Sequence, residues 1–426
     1  MKYNISSHNR FYQPPIAIGI DWGDSKHAFA IACHDQDIET GSIDHSSETL
    51  HQWLQALEKR FAAQPVTVIL EAGSVPLIAA LREYHWIQIF SICPLASAAY
   101  RKSIRPSGAK DDRPDAVLLL GMLLSNHQRL SPLPDRDDSL PHLLDRLVVH
   151  RRRLVDDRTA KTNQLMAALK SYFPQALELL PKELYRPFVI CFLRKWSNLL
   201  DLKKARSSTI ERFYLKAGHR RPQTIQAHLK LIKQARLLHK DHALTAIGEL
   251  HVAHLIEQIE CLNHQISETE KQIRPLFQEH ENASFYRNLP GAGANMAPRL
   301  LAAMELLPTD NVQDAQKYIG VAPVTQRSGK QCWVHRRFHP PQFLHQTLVE
   351  WAGLTVQFSP WAKAYYQHAK KQGKKRFVIL RSLAFKWLRI LDGCRKTKTD
   401  YDEQKYIQCL IKKQVPWARG LQTPTT

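Results

Sequence analysis

What this chain of 426 residues lacks narrows its class before any motif does. Its seven cysteines, Cys33, Cys93, Cys191, Cys261, Cys332, Cys394 and Cys409, stand singly and far apart, an odd number with no C-x-x-C pair. That argues against both a disulfide framework and a zinc ribbon, which need paired sulfurs at short spacing. No apolar run approaches the roughly 20 residues that cross a bilayer. Met1 to Arg10 is polar, with no apolar segment ahead of a cleavage site, so no secretory signal is read there and the cytoplasm is the expected compartment. Acidic residues are scarce. Against 60 Lys+Arg there are 39 Asp+Glu, a formal net charge of +21.

That deficit is the informative number. The excess cations fall in clusters along the chain, at Arg151-Arg152-Arg153, Lys203-Lys204, Arg220-Arg221, Arg336-Arg337, Lys370-Lys371 and Lys374-Lys375-Arg376. Such clusters suit a polyanion, because each phosphate they neutralise releases counterions. A solvated, merely soluble surface is the plainer reading, but solubility alone does not call for so large an imbalance. Nucleic acid is therefore the expected partner.

The length suits two or three domains. The first 130 residues alternate strand and helix signals: strands over Ile16–Asp21, His27–Cys33 and Gly41–His45, a helix over Glu48–Ala63, a strand from Val66 ending at Glu71, a helix over Val75–Trp86 and a strand over Ile87–Cys93. A basic loop, Arg101 to Lys110, precedes a further helix from Asp112 to Leu124. This is the element order of a ribonuclease-H-like α/β fold. Pro132, Pro134 and Pro141 mark a linker. Beyond it the pattern turns helical. Val252, Leu255, Ile259, Leu262, Ile266, Thr269 and Ile273 step by threes and fours as a coiled-coil seam does. Leu144, Leu147, Leu154, Leu165 and Leu169 form a looser one, interrupted by Arg151 and Arg158. Two such helices suit an antiparallel hairpin or a dimerising stalk. A third region opens at Leu289-Pro290-Gly291-Ala292-Gly293 ahead of a helix over Met296–Leu306. It continues through a polar loop holding Ser328-Gly329 to helices over Phe343–Val356, Trp361–Lys371 and Phe377–Leu391. The expected boundaries are 1–130 for the α/β domain, 131–285 for a helical coiled-coil region with a basic insert, 286–420 for a mainly α-helical domain, and 421–426 for a tail. The role of residues 182–240 is not readable from the sequence.

Four carboxylates carry the chemistry. Asp21 and Glu71 each end an apolar strand, while Asp112 and Asp115 lie at i and i+3 on a helix start and so project from one face. In a fold whose first and fourth strands are neighbours under that helix, the four converge, and their repulsion calls for divalent cations. Hard oxygen ligands suit Mg²⁺ or Mn²⁺. Taken singly, each has a plain structural role as a strand-end or helix-capping residue. It is their joint order that points to a site for phosphoryl transfer.

The segments Gly19-Ile20-Asp21-Trp22-Gly23, Leu70-Glu71-Ala72-Gly73 and Ala109-Lys110-Asp111-Asp112-Arg113-Pro114-Asp115-Ala116 resemble the DEDD transposases of bacterial insertion sequences, the family that includes the Piv site-specific invertase. So do Tyr172-Phe173-Pro174, Leu289 to Gly293, and Ala322-Pro323 with Arg327-Ser328-Gly329. The resemblance spans nearly the whole chain and is weakest between Lys182 and Lys240. Family members usually carry Thr where this chain has Asp111, and the spacing to Asp115 selects Asp112 as the ligand. The resemblance implies a RuvC-like domain in which Asp21, Glu71, Asp112 and Asp115 hold Mg²⁺, and a C-terminal domain in which Ser328 is the nucleophile, forming a transient phosphoserine with DNA. It also implies a homo-oligomer, dimer or tetramer, acting at the bacterial nucleoid with a structured bridge RNA that selects target and donor DNA. Arg327 and Lys330 are then placed to steady the scissile phosphate.

Gly291 and Gly293 either contact a DNA backbone through exposed N–H groups or simply form a helix-entry turn. Tyr365-Tyr366 reads as core rather than as a base-stacking platform. Three other functions compete. A junction resolvase would use the carboxylates alone. A sugar-kinase-like ATPase, suggested by Gly19 to Gly23, would need a second phosphate hairpin and a Gly-rich adenosine loop, neither of which is found. A noncatalytic nucleic-acid scaffold would need none of the acids.

Overall fold

The computed structural model describes residues 14–33, 37–62, 64–104, 112–130, 132–133, 140–218, 221–307, 309–329, 331–337, 340–418 and 420–421. The chain divides into two compact units, residues 1–137 with 308–310, and residues 138–307 with 311–426. Among the described residues no helix is long and apolar enough to cross a membrane.

The first unit is a mixed α/β domain built on one five-stranded sheet. Its strands are β1 (Ile16–Asp21), β2 (Lys26–Cys33), β3 (Glu39–Asp44), β4 (Val66–Glu71) and β5 (Ile87–Ile92), in the order β3-β2-β1-β4-β5. The first three pair antiparallel, and β4 and β5 run parallel to β1. The first and fourth strands are therefore neighbours, as expected. Helices α1 (Ser47–Phe61), α2 (Val75–Arg82), α3 (Pro94–Ile104) and α4 (Asp112–Asn126) complete the unit. Strand alternation divides the core cleanly. Ile16, Ile18, Ile20, Val66, Val68 and Leu70 pack with Leu50, Leu54 and Leu57 of α1 and with Leu77 and Leu81 of α2. Ala17, Ala28, Ala30 and Ile69 pack with Ala116, Leu119, Leu120 and Leu123 of α4. Each fully buried aliphatic side chain contributes about 1.5–3 kcal/mol, so the sheet is held from both sides.

Helix α1 starts and stops where local chemistry requires. The Ser46 hydroxyl accepts from the Thr49 N–H at 3.1 Å, and Ala62 closes the helix in the left-handed region at φ 42°. Helix α3 was not anticipated. Arg101 to Ile104, read as the start of a basic loop, are its last turn.

Among its described residues, the regular structure of the second unit is helical except for one hairpin. Helices α5 (Leu140–Tyr172) and α11 (His242–Glu279) lie antiparallel, since Arg151 Nε donates to Glu270 Oε1 at 2.8 Å while Arg158 Nη1 donates to Asn263 Oδ1 at 3.0 Å. The two arginines that interrupt the leucine pattern of α5 thus meet polar partners on α11. Between the long helices lie α6 (Ala176–Leu179), α7 (Pro187–Lys195), α8 (Leu199–Lys204), α9 (Ser207–Lys216) and α10 (Pro222–Gln234). Residues 182–240 are therefore a helical module, with Phe192, Trp196 and Tyr214 in a core shared with the end of α5 and the start of α11.

Helices α12 (Ala283–Arg287), α13 (Gly293–Glu305), α14 (Val312–Tyr318), α15 (Gln342–Phe358), α16 (Pro360–Lys371), α17 (Arg376–Thr397) and α18 (Glu403–Lys412) surround a second core. Trp351, Trp361 and Trp387 lie at its centre, the Trp387 ring centroid 4.8 Å from each of the other two. Their polar edges are satisfied: Trp387 Nε1 donates to Thr355 Oγ1 at 2.9 Å and Trp361 Nε1 to the Tyr401 hydroxyl at 2.8 Å. Tyr365 and Tyr366 pack against this core, in keeping with the core reading. The polar loop expected around Ser328 is instead an antiparallel hairpin, β6 (Val324–Ser328) and β7 (Gln331–His335).

Candidate active site

Alternation along β1 places Ala17, Gly19 and Asp21 on the face covered by α4, and alternation along β4 does the same for Thr67, Ile69 and Glu71. The pairing of Ile20 with Leu70 sets Asp21 and Glu71 one step further along adjacent strands. Gly19 lets the helix come down onto them. A Cβ at Gly19 would lie 2.6 Å from the backbone nitrogen of Leu120, so any side chain there would lift α4 off β1. Asp115 is one residue from Ala116, which shares the core with Ala17, and is 5 % exposed.

The outcome is one small cavity lined by Asp21, Glu71 and Asp115 together with Ser97, Tyr100 and Arg101 of α3. The Ser97 hydroxyl donates to Glu71 Oε1, and Arg101 Nη2 donates to Asp115 Oδ2 at 2.6 Å. Among the described residues, Arg101 Nε is buried and without a partner, a donor beside the acidic pocket. Ser97, Tyr100 and Arg101 were not singled out from the sequence. Recognising Pro94–Ile104 as a helix ending against the same face would have found them.

Three of the four expected carboxylates thus line one cavity. Asp112 is the first residue of α4, and its side chain lies outside the described residues, as does Asp111. Among the described residues, no three Asp, Glu, His or Cys side chains are arranged to hold a metal ion as they stand. The chemistry of the donor set nevertheless fits a hard divalent cation, because it is all carboxylate oxygen, and a cation bound there would take over the charge that Arg101 balances on Asp115.

On the other face of the sheet, at the start of β2, the imidazole of His27 is buried and stacks on Trp22 with centroids 4.1 Å apart. Its Nε2 shares a hydrogen bond with His45 Nδ1 at 3.0 Å. Burial, reinforced by His45, holds the His27 pKa below its ordinary value.

The other expected residues lie in the second unit. Ser328 is the last residue of β6, opposite Gln331, and is exposed; Gly329 follows in the left-handed region at φ 55°. Arg327 is exposed beside it, and Lys330 lies outside the described residues. Gly291 and Gly293 both have positive φ, 71° and 52°, immediately before and at the start of α13. Gly293 also lines a cavity with Arg151, Arg274 and Arg287 and with Glu270, which pairs with Arg151, so two guanidinium side chains beyond that ion pair lie at this helix start.

Comparison with known proteins agrees at both ends of the chain. A family model described as Transposase, of the DEDD type, matches residues 18–174. A second, described as Transposase IS116/IS110/IS902 family, matches residues 283–367. The "Mini-circle putative transposase for IS117" of Streptomyces coelicolor is 26 % identical over 413 residues, covering 92 % of this chain and 97 % of that protein. The "Insertion element IS900 uncharacterized 42 kDa protein" of Mycobacterium paratuberculosis is 22 % identical over 390 residues, covering 88 % and 94 %.

Proposed function

We propose that the chain is an insertion-sequence transposase of the IS110 type, acting on DNA by strand transfer, and more narrowly a site-specific recombinase combining a metal-dependent RuvC-like carboxylate centre with a serine nucleophile. The observation that carries this reading is the meeting of Asp21, Glu71 and Asp115 in one cavity. These three, with Asp112, would hold Mg²⁺ or Mn²⁺. A divalent cation there supplies Lewis-acid polarisation of a phosphodiester oxygen and stabilises the leaving one. Ser97 fixes the orientation of Glu71, and Arg101 balances the charge of Asp115 until a cation does so.

Ser328 carries the covalent step. Its Oγ bonds to phosphorus as its proton leaves, and one strand end departs as a free hydroxyl. The hydroxyl of the partner strand then reverses the step, restoring the serine and rejoining the DNA. An alcohol is a weak nucleophile unless a base or metal activates it. Exposure of Ser328 on a hairpin suits presentation to such a centre in an assembled oligomer. Arg327 and Lys330 would hold the phosphate, and the backbone at Gly291 and Gly293, the latter lining a cavity with Arg274 and Arg287, would take a neighbouring one. The basic clusters fit a structured bridge RNA as the guide, alongside the DNA substrates.

Trapping the protein–DNA adduct and mapping the attached residue tests the proposal. Attachment at Ser328, lost in Ser328→Ala, is the expected result. Continued strand cutting by Ser328→Ala without any adduct would instead mark a RuvC-like nuclease or junction resolvase that does not use the serine.

A further inference from the structure

The hairpin that carries Ser328 has an unusual surface. A two-stranded ribbon is stable only when one face is covered, yet here Trp333 is 50 % exposed and, on the opposite face, Val334 is 65 % exposed. Residues paired across a ladder share a face, so Ser328 and Gln331 lie on the same side as Gln326 and Trp333. Trp333 is thus the diagonal neighbour of Ser328, a relation that places Cβ atoms about 7–8 Å apart. That separation is about two nucleotide steps at roughly 3.4 Å per step of a strand. The local sequence is cationic. Residues 315–349 contain no Asp or Glu, and Arg327, Arg336 and Arg337 lie on or beside the ribbon.

We propose that Trp333 is a base-stacking residue, which holds an unpaired nucleobase against the hairpin and so registers the neighbouring phosphate at Ser328. The proposal deepens the recombinase reading and rests on it for the role of Ser328. The indole supplies a flat apolar surface with an N–H edge, Gln326 and Gln331 supply amide groups on the same face, and the arginines supply the backbone attraction that single strands need. Trp333 is a positioning residue; it takes no part in bond making. An apolar partner would account for Trp333 and Val334 but leaves the unbroken positive charge unexplained, whereas a single strand of DNA uses both.

The test uses the full chain and a single-stranded thymidine oligonucleotide carrying one 5-iodouracil. Irradiation should cross-link the base to Trp333, in the wild type and equally in Ser328→Ala. Trp333→Ala should bind the oligonucleotide about 5- to 150-fold more weakly, the range of a single base–aromatic stack, and Trp333→Phe should recover most of the loss. Cross-linking elsewhere, or unchanged binding by Trp333→Ala, would overturn the proposal. So would a change in oligomeric mass with binding intact, since the face would then be a contact between copies. If Ser328→Ala still forms an adduct while the Trp333 cross-link persists, the nucleophile assignment fails and the stacking assignment stands.

Discussion

The carboxylate pocket and the serine hairpin sit in opposite physical settings. Asp21, Glu71 and Asp115 are positioned by a sheet and a helix packed so closely that position 19 admits no side chain. Ser328 sits at the end of a two-stranded ribbon whose large side chains face water on both sides. Carboxylates that must share a cation require fixed separations, and a packed core supplies them without outside help. A group that must reach a polymer needs the reverse: exposure, with geometry completed only when the partner arrives. The two halves of the proposed chemistry are accordingly expected to respond differently to the same perturbation.

The largest expected effect breaks the acidic side. Asp21→Asn or Glu71→Gln should lower strand transfer about a thousandfold or more, because several kcal/mol of transition-state stabilisation is lost, with little change in melting temperature. Chelation of divalent metal should match it. Retained activity in either variant would remove the pocket from the mechanism.

Adding one methyl group in each place sharpens the contrast. Gly19→Ala drives a Cβ into the backbone of α4 and should destabilise the first unit by about 1–3 kcal/mol, abolishing activity with it. Gly329→Ala meets nothing within 4 Å and costs only the left-handed strain of φ 55°, about 1–2 kcal/mol. Because the two stability ranges overlap, a strand-transfer assay beside denaturant titration separates the variants, and an equal loss of activity would contradict the contrast.

Arg101→Ala probes what balances Asp115. Without the guanidinium, a buried carboxylate is left with one charged partner fewer, at a cost of about 1–3 kcal/mol in the absence of metal. Manganese should then raise the melting temperature more in the variant than in the wild type. An identical metal response would show that Arg101 and the cation do not compete for Asp115.

Acidification gives the smallest effect and draws on both units. The pKa values of His27 and His345 are held below the ordinary 6.5, His27 by burial and His45, His345 by burial with Arg381 and Arg336 close by. The unfolded chain therefore takes up these protons first. Their contribution is fully present above about pH 6.5 and declines as the pH falls below it. Melts at about pH 7.5 and 5.5 should show that loss, reduced in His27→Gln. Stability that rises on acidification through this window would reverse the assignment.

Much of the acidic pocket was legible in the residues. Apolar strands with a carboxylate at the last position, and an i, i+3 pair at a helix start, have little room for other arrangements once β1 and β4 are adjacent. Helix α3 escaped because Pro94 to Ile104 is rich in Ala and Ser and ends in cations, leaving no apolar stripe of helical period. The hairpin escaped for a related reason. Val324 to Ser328 and Gln331 to His335 are exposed on both faces, so neither shows the alternation that a half-buried strand acquires from its core. Arg151 and Arg158 appeared as breaks in a leucine seam, because the sequence of one helix does not reveal Glu270 and Asn263 waiting on the other.

By itself, then, the sequence determined the charge balance, the alternation of the first unit, the acids at its strand ends and the long helical repeats. These are local or summed properties, written in residue type and spacing. Only the tertiary structure decided that Ser97 and Arg101 join the acids, and that Trp333 shares a face with Ser328. Such facts depend on register and on which helix end meets which strand end, and segments distant in sequence acquire those relations only when they pack.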